Sequence, residues 1–486
     1  MINLPSSSDI LIIGGGATGT GIARDMAMRG ASVILVERGD FCAGASGSNH
    51  GMLHSGARYA SSDQDSAREC AAENEILKRI APFCIDDTGG LFVSLPEDDE
   101  DFADKFNSSC QAAGVYSKEL SLQEALKSEP LLNPEITRAF EVRDAAVDPF
   151  LLVNANVAAA REFGAAAVNY TKVISMDVEE GKIKQVTLER AGQRCTVQPE
   201  AVINAAGSWA AEVAAMADQS LSVGVDKGTM AVIDGRAASR LINRLRKPAD
   251  ADILVPHRSA TIVGTTSSPG NLNHVHPTAE EVESLLREAS KMIIGLHSMR
   301  AVRAYAGIRP LAAAGGRNAS RNFTITQHTE GAENLFSVVG GKLTTYRLIA
   351  EKTADAASSY LGLHSVCKTA QDELPAPETK LPLSQEVCSC EMVSQATLHN
   401  LAQSADVTCA ADLMRRSRAG MGFCQSGLCA FDIVSCLEGD PRQQLQEFLA
   451  ERWKGAESVL YDQQLRQEAF KAHLFKVYGI DHTGGD

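Results

Sequence analysis

The feature that most constrains this chain is a short run near its start, Gly14-Gly15-Gly16-Ala17-Thr18-Gly19, set between an apolar stretch and an amphipathic one. Ile10 to Ile13 is a continuous apolar run of strand length, as expected for a strand buried on both faces. Beyond the glycines, Ile22, Ala23, Met26 and Ala27 fall on one helical face. Gly30 is a natural stop before Val33 to Val36, a second buried strand. Gly14 permits the tight turn, Gly16 lets a pyrophosphate approach the backbone, and Gly19 allows close packing of helix on strand. The helix start then turns its free N–H groups and positive dipole end toward phosphate. Glu37, ending the second strand, is spaced to accept hydrogen bonds from ribose hydroxyls. This βαβ unit predicts dinucleotide binding in an α/β fold, without separating FAD from NAD.

The stretch after Glu37 favours the longer cofactor. Gly44-Ala45-Ser46-Gly47-Ser48-Asn49-His50-Gly51 is a second loop rich in glycine and hydroxyls, where a cofactor longer than NAD would run on. His54-Ser55-Gly56-Ala57-Arg58-Tyr59 follows, dense in polar groups at a point where a structural loop needs none.

At 486 residues the chain is too long for one simple core and suggests two or three domains. A formal net charge of -15 argues against a nucleic-acid binder, since no broad basic surface is on offer. Met1 to Ser8 lacks the basic and apolar parts of a leader, so export is not expected. No apolar stretch approaches the roughly 18 residues that span a bilayer. Most of the twelve cysteines are scattered singly, as for reduced thiols in the cytoplasm.

Farther along, 65–80 reads as a helix, Leu91 to Leu95 as a strand, and Asp98 to Val115 as an acidic helix. Lys172 to Leu188 alternates about Gly181 like a hairpin. Ala201 to Asn204 and Leu335 to Val339 are further buried strands, the second followed by a helix over about 345–360. Thr369 to Glu386, with three prolines and mixed charges, reads as a linker. The tail from Pro441 reads as helical and polar.

Several of these segments resemble the FAD-dependent glycerol-3-phosphate dehydrogenases. They are the glycine run, Leu53-His54-Ser55-Gly56-Ala57-Arg58-Tyr59, Val147-Asp148-Pro149-Phe150, Asn204-Ala205-Ala206-Gly207, Ile262-Val263-Gly264-Thr265-Thr266, Ala306-Gly307-Ile308-Arg309-Pro310-Leu311 and Gly340-Gly341-Lys342-Leu343-Thr344-Thr345-Tyr346-Arg347. They run in order from about Asp9 to Ala356. The C-terminal cysteines and Arg416-Ser417-Arg418-Ala419-Gly420-Met421-Gly422 narrow the resemblance to the catalytic component of the anaerobic, multi-subunit enzymes.

The resemblance implies a D-amino-acid-oxidase-like FAD-binding fold with an interleaved α+β substrate domain, plus a small C-terminal α-helical iron–sulfur domain. The oxidoreductase would occupy 1–368, with FAD-binding parts about 1–80, 150–215 and 330–368 and substrate-domain parts about 81–149 and 216–329. A linker over 369–386, a [2Fe–2S] domain over 387–440 and a helical tail over 441–486 would follow. The implied reaction is oxidation of sn-glycerol 3-phosphate to dihydroxyacetone phosphate. Electrons would leave for a quinone through two partner subunits, one a second flavoprotein and the other an iron–sulfur membrane anchor, at the inner face of the cell membrane. Ser46, Ser48, His50, Gly207, Gly341 and Thr344 join Gly14, Gly16, Gly19 and Glu37 as cofactor-binding residues. An amino-acid, opine or 2-hydroxy-acid dehydrogenase of the same superfamily is the alternative.

A phosphate dianion requires fixed positive charge, which an acidic chain must assemble deliberately. The resemblance sets Arg309, Arg321 and Lys342 about the substrate and Arg58 beside it; arginine suits bidentate phosphate binding and lysine acts as a point charge. A carboxylate needs fewer cations. The hydroxyl proton needs a base, for which His54 is the candidate and His50 its rival.

Cys388-Ser389-Cys390 and Cys424-Gln425-Ser426-Gly427-Leu428-Cys429 form C-x-C, a 33-residue spacer and C-x4-C. Four thiolates suit a [2Fe–2S] cluster or structural zinc, and neither pair has the C-x2-C spacing zinc favours. The arrangement resembles bacterioferritin-associated-ferredoxin-like [2Fe–2S] domains. These usually read Cys-Gln-Gly where this chain has Cys424-Gln425-Ser426, which bears on the local turn.

Overall fold

The computed structural model describes residues 4–312, 322–377 and 385–477. The first apolar run forms the strand Ser7–Ile13, paired in parallel with Val33–Val36 on one side and Gln193–Asn204 on the other. Parallel pairing demands a crossover, and the helix Ala17–Met28 supplies it with Ile22, Ala23 and Met26 in the core. Helices Pro149–Glu162 and Tyr346–Leu361 pack beside it, adding Val153, Val157, Ile349 and Ala350 to the same core. The sheet grows to eight strands through Ala166–Val168, the hairpin Lys172–Glu179 and Lys182–Arg190, and the pair Phe323–Gln327 and Leu335–Gly340.

Gln193–Asn204 is much longer than the expected strand at Ala201. Its first half pairs antiparallel with the hairpin, and its end pairs in parallel with Leu335–Gly340. The first half lies largely at the surface, so the apolar run that marks a buried strand is absent there.

A second sheet of nine strands carries the other core. Its centre is Gly224–Asp234 against Ala301–Leu311, with Ile253–His257, Ala260–Gly264, Leu241–Arg244 and Gly90–Ser94 continuing it. Helix Ala279–Ala289 lays Val282, Leu285 and Ala289 on this core. The acidic helix forms as Glu100–Ala113 and buries Ala103, Phe106 and Cys110. A three-stranded sheet of Met52–Leu53, Ala145–Val147 and Ile85–Asp86 stands apart from both.

The start of the expected linker is tied down. Arg24 donates to the carbonyls of Thr369 and Asp372, and Leu374 is buried with its N–H on the Ile80 carbonyl. Residues 378–384 of that stretch lie outside the described residues. Beyond them, short helices including Gln395–Ala402, Ala410–Ser417 and Ala430–Ser435 enclose a core of Leu398, Leu413, Ile433, Leu445 and Phe448. Helices Pro441–Ala456 and Asp462–Val477 return to the second sheet, where Gln464 donates to the Val302 carbonyl. Among the described residues no helix is long and apolar enough to cross a membrane.

Candidate active site

The glycine run does two different jobs. Gly14 has φ +117, and a Cβ there would stand 2.4 Å from the Ala205 carbonyl oxygen. A Cβ at Gly19 would stand 1.9 Å from the Gly14 oxygen. These two glycines serve the chain's own packing. Gly16 differs: its Cβ would meet only the Ser46 side chain, at 3.0 Å, on a wall of the main cavity. Gly16 is also the N-cap of helix Ala17–Met28 and offers no side-chain cap, and the first turn carries no acidic residue. That helix start therefore has donors and dipole directed at a cavity, as an anionic pyrophosphate requires. Glu37 accepts from the N–H groups of Gly15 at 2.7 Å and Gly39 at 2.8 Å, which fixes its carboxylate beside the loop.

The cavity measures about 1430 Å³ and runs between the two sheets. Gly14, Gly16, Glu37, Ser46, Ser48, His50, Gly207 and Gly341 line it, as do His54, Arg58, Arg309 and Lys342. Its volume exceeds the few hundred to about 1,000 Å³ of ordinary small-ligand pockets, enough for an extended dinucleotide with a substrate beyond it. Gly19 and Thr344 stand behind the wall. The Thr344 hydroxyl accepts from the His54 N–H at 3.0 Å, so it positions His54 rather than facing the cavity. Arg321 lies outside the described residues.

His54 is buried, with its ring edge-on to Tyr59 at 5.2 Å and to His50 at 6.2 Å. The Lys342 ammonium lies 4.9 Å from the Tyr59 ring and donates to the Ser66 hydroxyl at 2.9 Å. Arg309 pairs with Asp226 at 2.5 Å and donates to Thr265 and to the Thr266 carbonyl. Arg58 pairs with the buried Asp252 at 3.0 Å. Both arginines are thus oriented by a carboxylate on a strand or strand entry far away in sequence. Asp226, Asp252 and Tyr59 are positioning or lining residues that the sequence does not single out. Only Tyr59, beside His54 and Arg58, carries a local signal.

The four cysteines of the C-terminal region come together. Cys429 hydrogen-bonds Cys388 and Cys424, and Cys424 hydrogen-bonds Cys390. Hydrogen bonding with Cys429 pulls the Cys388 and Cys424 thiols down, its single hydrogen serving one of them at a time. Burial leads the opposite shift of Cys390, to about 11. Backbone N–H groups also aim at sulfur, from Gly420 and Glu391 toward Cys388 and from Ser426 and Gly427 toward Cys424. Among the described residues, no group of three or more His, Cys, Asp or Glu is arranged to hold a metal ion. The sulfurs form a chain, Cys388–Cys429–Cys424–Cys390. Ser426 has φ 68, a left-handed conformation that glycine adopts without strain; its hydroxyl donates to the Gly420 carbonyl at 3.1 Å.

A parallel dinucleotide-binding sheet, a second sheet facing it and a long cavity between them define a two-sheet dinucleotide-dependent enzyme. Residues 9–356 match the model of the FAD-dependent oxidoreductase (DAO) family, and the chain belongs to that family, with its D-amino-acid-oxidase-like fold and FAD as cofactor. The A component of the anaerobic glycerol-3-phosphate dehydrogenase of Escherichia coli K12 is 40% identical, the match covering 97% of this chain and 96% of that protein. Its counterpart from Haemophilus influenzae is 39% identical, covering 98% and 94%. Among solved structures, the glycerol-3-phosphate dehydrogenase of Bacillus halodurans complexed with FAD overlays with a TM-score of 0.61 at 21% identity, covering 99% of this chain and 96% of that one. At that identity the overlay speaks for the fold alone.

Proposed function

We propose that the chain oxidises sn-glycerol 3-phosphate to dihydroxyacetone phosphate and is the catalytic subunit of a quinone-linked complex. One observation carries this reading. A chain with a net charge of -15 lines one cavity with Arg58, Arg309 and Lys342, next to a buried histidine. That much cation suits a phosphate dianion better than a lone carboxylate, and the 40% identical relative is named for the same substrate.

FAD bound along the glycine-lined wall supplies the hydride acceptor. Arg309 and Lys342 take the phosphate, with Arg321 as a third cation, and the Arg58 guanidinium steadies that end of the cavity. His54 accepts the substrate hydroxyl proton on its ring, and its backbone is held by Thr344 for that task. His50 is the neighbouring alternative base. Cys388, Cys390, Cys424 and Cys429 hold a [2Fe–2S] cluster, which supplies one-electron transfer outward. The C-x-C and C-x4-C spacing counts against zinc, which favours C-x2-C pairs. By this reading there are two partner subunits, one a second flavoprotein and the other an iron–sulfur membrane anchor, which would hold the chain at the inner face of the membrane.

The test is anaerobic titration of the purified protein. Glycerol 3-phosphate should bleach the flavin stoichiometrically, while amino acids, opines and 2-hydroxy acids leave it yellow. Bleaching by one of those instead would move the chain to the related dehydrogenases. Iron and acid-labile sulfide should each approach two per chain, and zinc without either would refute the cluster.

A further inference from the structure

One turn of the second sheet touches both the cavity wall and the cysteine site. Strands Ile253–His257 and Ala260–Gly264 are joined through Arg258 and Ser259. At one end of the turn, the His257 ring nitrogen Nε2 lies 2.9 Å from the His50 carbonyl. A carbonyl only accepts, so Nε2 carries the hydrogen and donates. Gly51 makes this approach possible: a Cβ there would stand 2.5 Å from His257 Nε2. At the other end, the Ser259 hydroxyl donates to Glu391 at 3.3 Å, and Arg258 lies 3.8 Å from the same carboxylate. Glu391 follows Cys390 directly. Gly422, two residues before Cys424, fits against Ser259 and Cys390 only because it lacks a side chain.

Arg418 closes the arrangement from the cysteine module. Its guanidinium donates to Glu391 at 2.8 Å and to Asp148 at 2.7 Å, all three side chains being enclosed. Asp148 in turn caps helix Pro149–Glu162, accepting from Phe150 and Leu151, and follows Val147, whose N–H is on the Gly51 carbonyl. Two routes therefore run from His50 and Gly51 to the Cys388–Cys390 loop, one through the turn and one through Asp148 and Arg418.

We infer that the His257–Ser259 turn, backed by Arg418, is a positioning strut that fixes the distance between the cavity wall at His50 and the four-cysteine site. Its electron-transfer consequence rests on the [2Fe–2S] reading of those cysteines. Electron transfer through protein falls steeply with distance, and hydride chemistry in the cavity does not depend on where the cysteines sit. A strut between the two should therefore govern passage of electrons and leave substrate oxidation alone.

His257→Leu removes the donor at similar volume, and His257→Gln restores a side-chain donor. In anaerobic single-turnover mixing with glycerol 3-phosphate, flavin bleaching in His257→Leu should stay within twofold of wild type. The later electron-spin-resonance signal of the reduced cluster should rise at least tenfold more slowly, and His257→Gln should recover most of that rate. A second readout needs no cofactor. In iron-free chain, alkylation of Cys388 and Cys390 should be at least fivefold faster in His257→Leu than in wild type, with His257→Gln again near wild type. Unchanged cluster reduction with unchanged alkylation overturns the strut, as does an equal slowing of bleaching and cluster reduction. Wild-type protein without iron or sulfide refutes the cluster reading instead, and the alkylation arm then judges the strut by itself. Should His257→Leu fail to fold, Ser259→Ala serves in its place, with the same two readouts and the same overturning results.

Discussion

Arg309 reaches the cavity through a gap that only glycine leaves, since a Cβ at Gly228 would stand 1.9 Å from its Nη2. Its pairing with Asp226 offsets part of its charge, and on the phosphate reading Lys342 is the second cation of the site. Lys342→Met should raise the glycerol 3-phosphate concentration for half-maximal flavin bleaching by at least thirtyfold while FAD stays bound. That follows from the roughly 2–5 kcal/mol lost when one partner of an enclosed charge pair is removed. Saturation at wild-type concentrations would sink the phosphate assignment. Arg309 and Lys342 were singled out through the resemblance, and both line the cavity, but Asp226 and Asp252 were not, because an ion pair closed by the fold has no local pattern. His257 shows the same blindness. Burial, and then the charge of Arg418, push it down to about 4, with Asp148 and Asp86 facing it as weaker opposing charges. Its folded value lies below the unfolded value of about 6.5, so the unfolded chain binds the extra proton. Stability from this group is full above pH 6.5 and falls as pH drops toward 4, by on the order of 3 kcal/mol. His257→Gln should thus lose less melting temperature than wild type between pH 6.5 and 4.5. Parallel pH profiles for the two proteins would refute it.

The first βαβ unit is the element whose sequence spoke most clearly, because each of its glycines answers a separate geometric demand. Those demands predict different failures. At Gly19 the obstacle is backbone, at 1.9 Å, which cannot give way; at Gly16 it is one movable serine, at 3.0 Å, on the cavity side. Gly16→Val should therefore yield folded protein with near-native circular dichroism and no FAD, whereas Gly19→Val should fail to accumulate as folded protein at all. Folded Gly16→Val with its full flavin would mean that the pyrophosphate lies elsewhere. The strand Gln193–Asn204 was less legible for a reason of the same kind. Only its last four residues are buried in both directions, and they alone carry the apolar run that marks a central parallel strand. Its first part owes its conformation to the hairpin beside it, a partner encoded in other residues.

At the scale of the molecule, composition pointed to a tether at 369–386, and a tethered module would owe little to the body before it. The contacts describe a docked one. Asp40, fully buried behind the glycine loop, receives Arg415 at 2.6 Å and Arg416 at 2.7 Å from the cysteine module. Burial would raise this carboxyl, but hydrogen bonding and charge from Arg416, then Arg415, hold it down at about 2. Arg161 on helix Pro149–Glu162 pairs with Asp406, and the Asn169 amide donates to both Asp40 and the Asp406 carbonyl. In sequence these are scattered charges of the sort that usually sit in solvent, which is why the docking was invisible there. Removing Asp40 leaves two enclosed guanidinium groups of the module without their carboxylate on the body, a loss of roughly 3–5 kcal/mol for a broken buried pair. The two cores, one around Ile10 and Ile22 and the other around Leu398 and Ile433, have no side chain in common and can melt apart once that junction weakens. Asp40→Ala should accordingly convert one calorimetric transition into two, the cysteine module melting first and its four thiols becoming reactive to alkylation in that first step. The FAD-containing body should melt within a few degrees of wild type, because its core is untouched. A single transition at the wild-type temperature, with the thiols still protected below it, would show that Asp40 and its arginines contribute nothing to holding the two parts together.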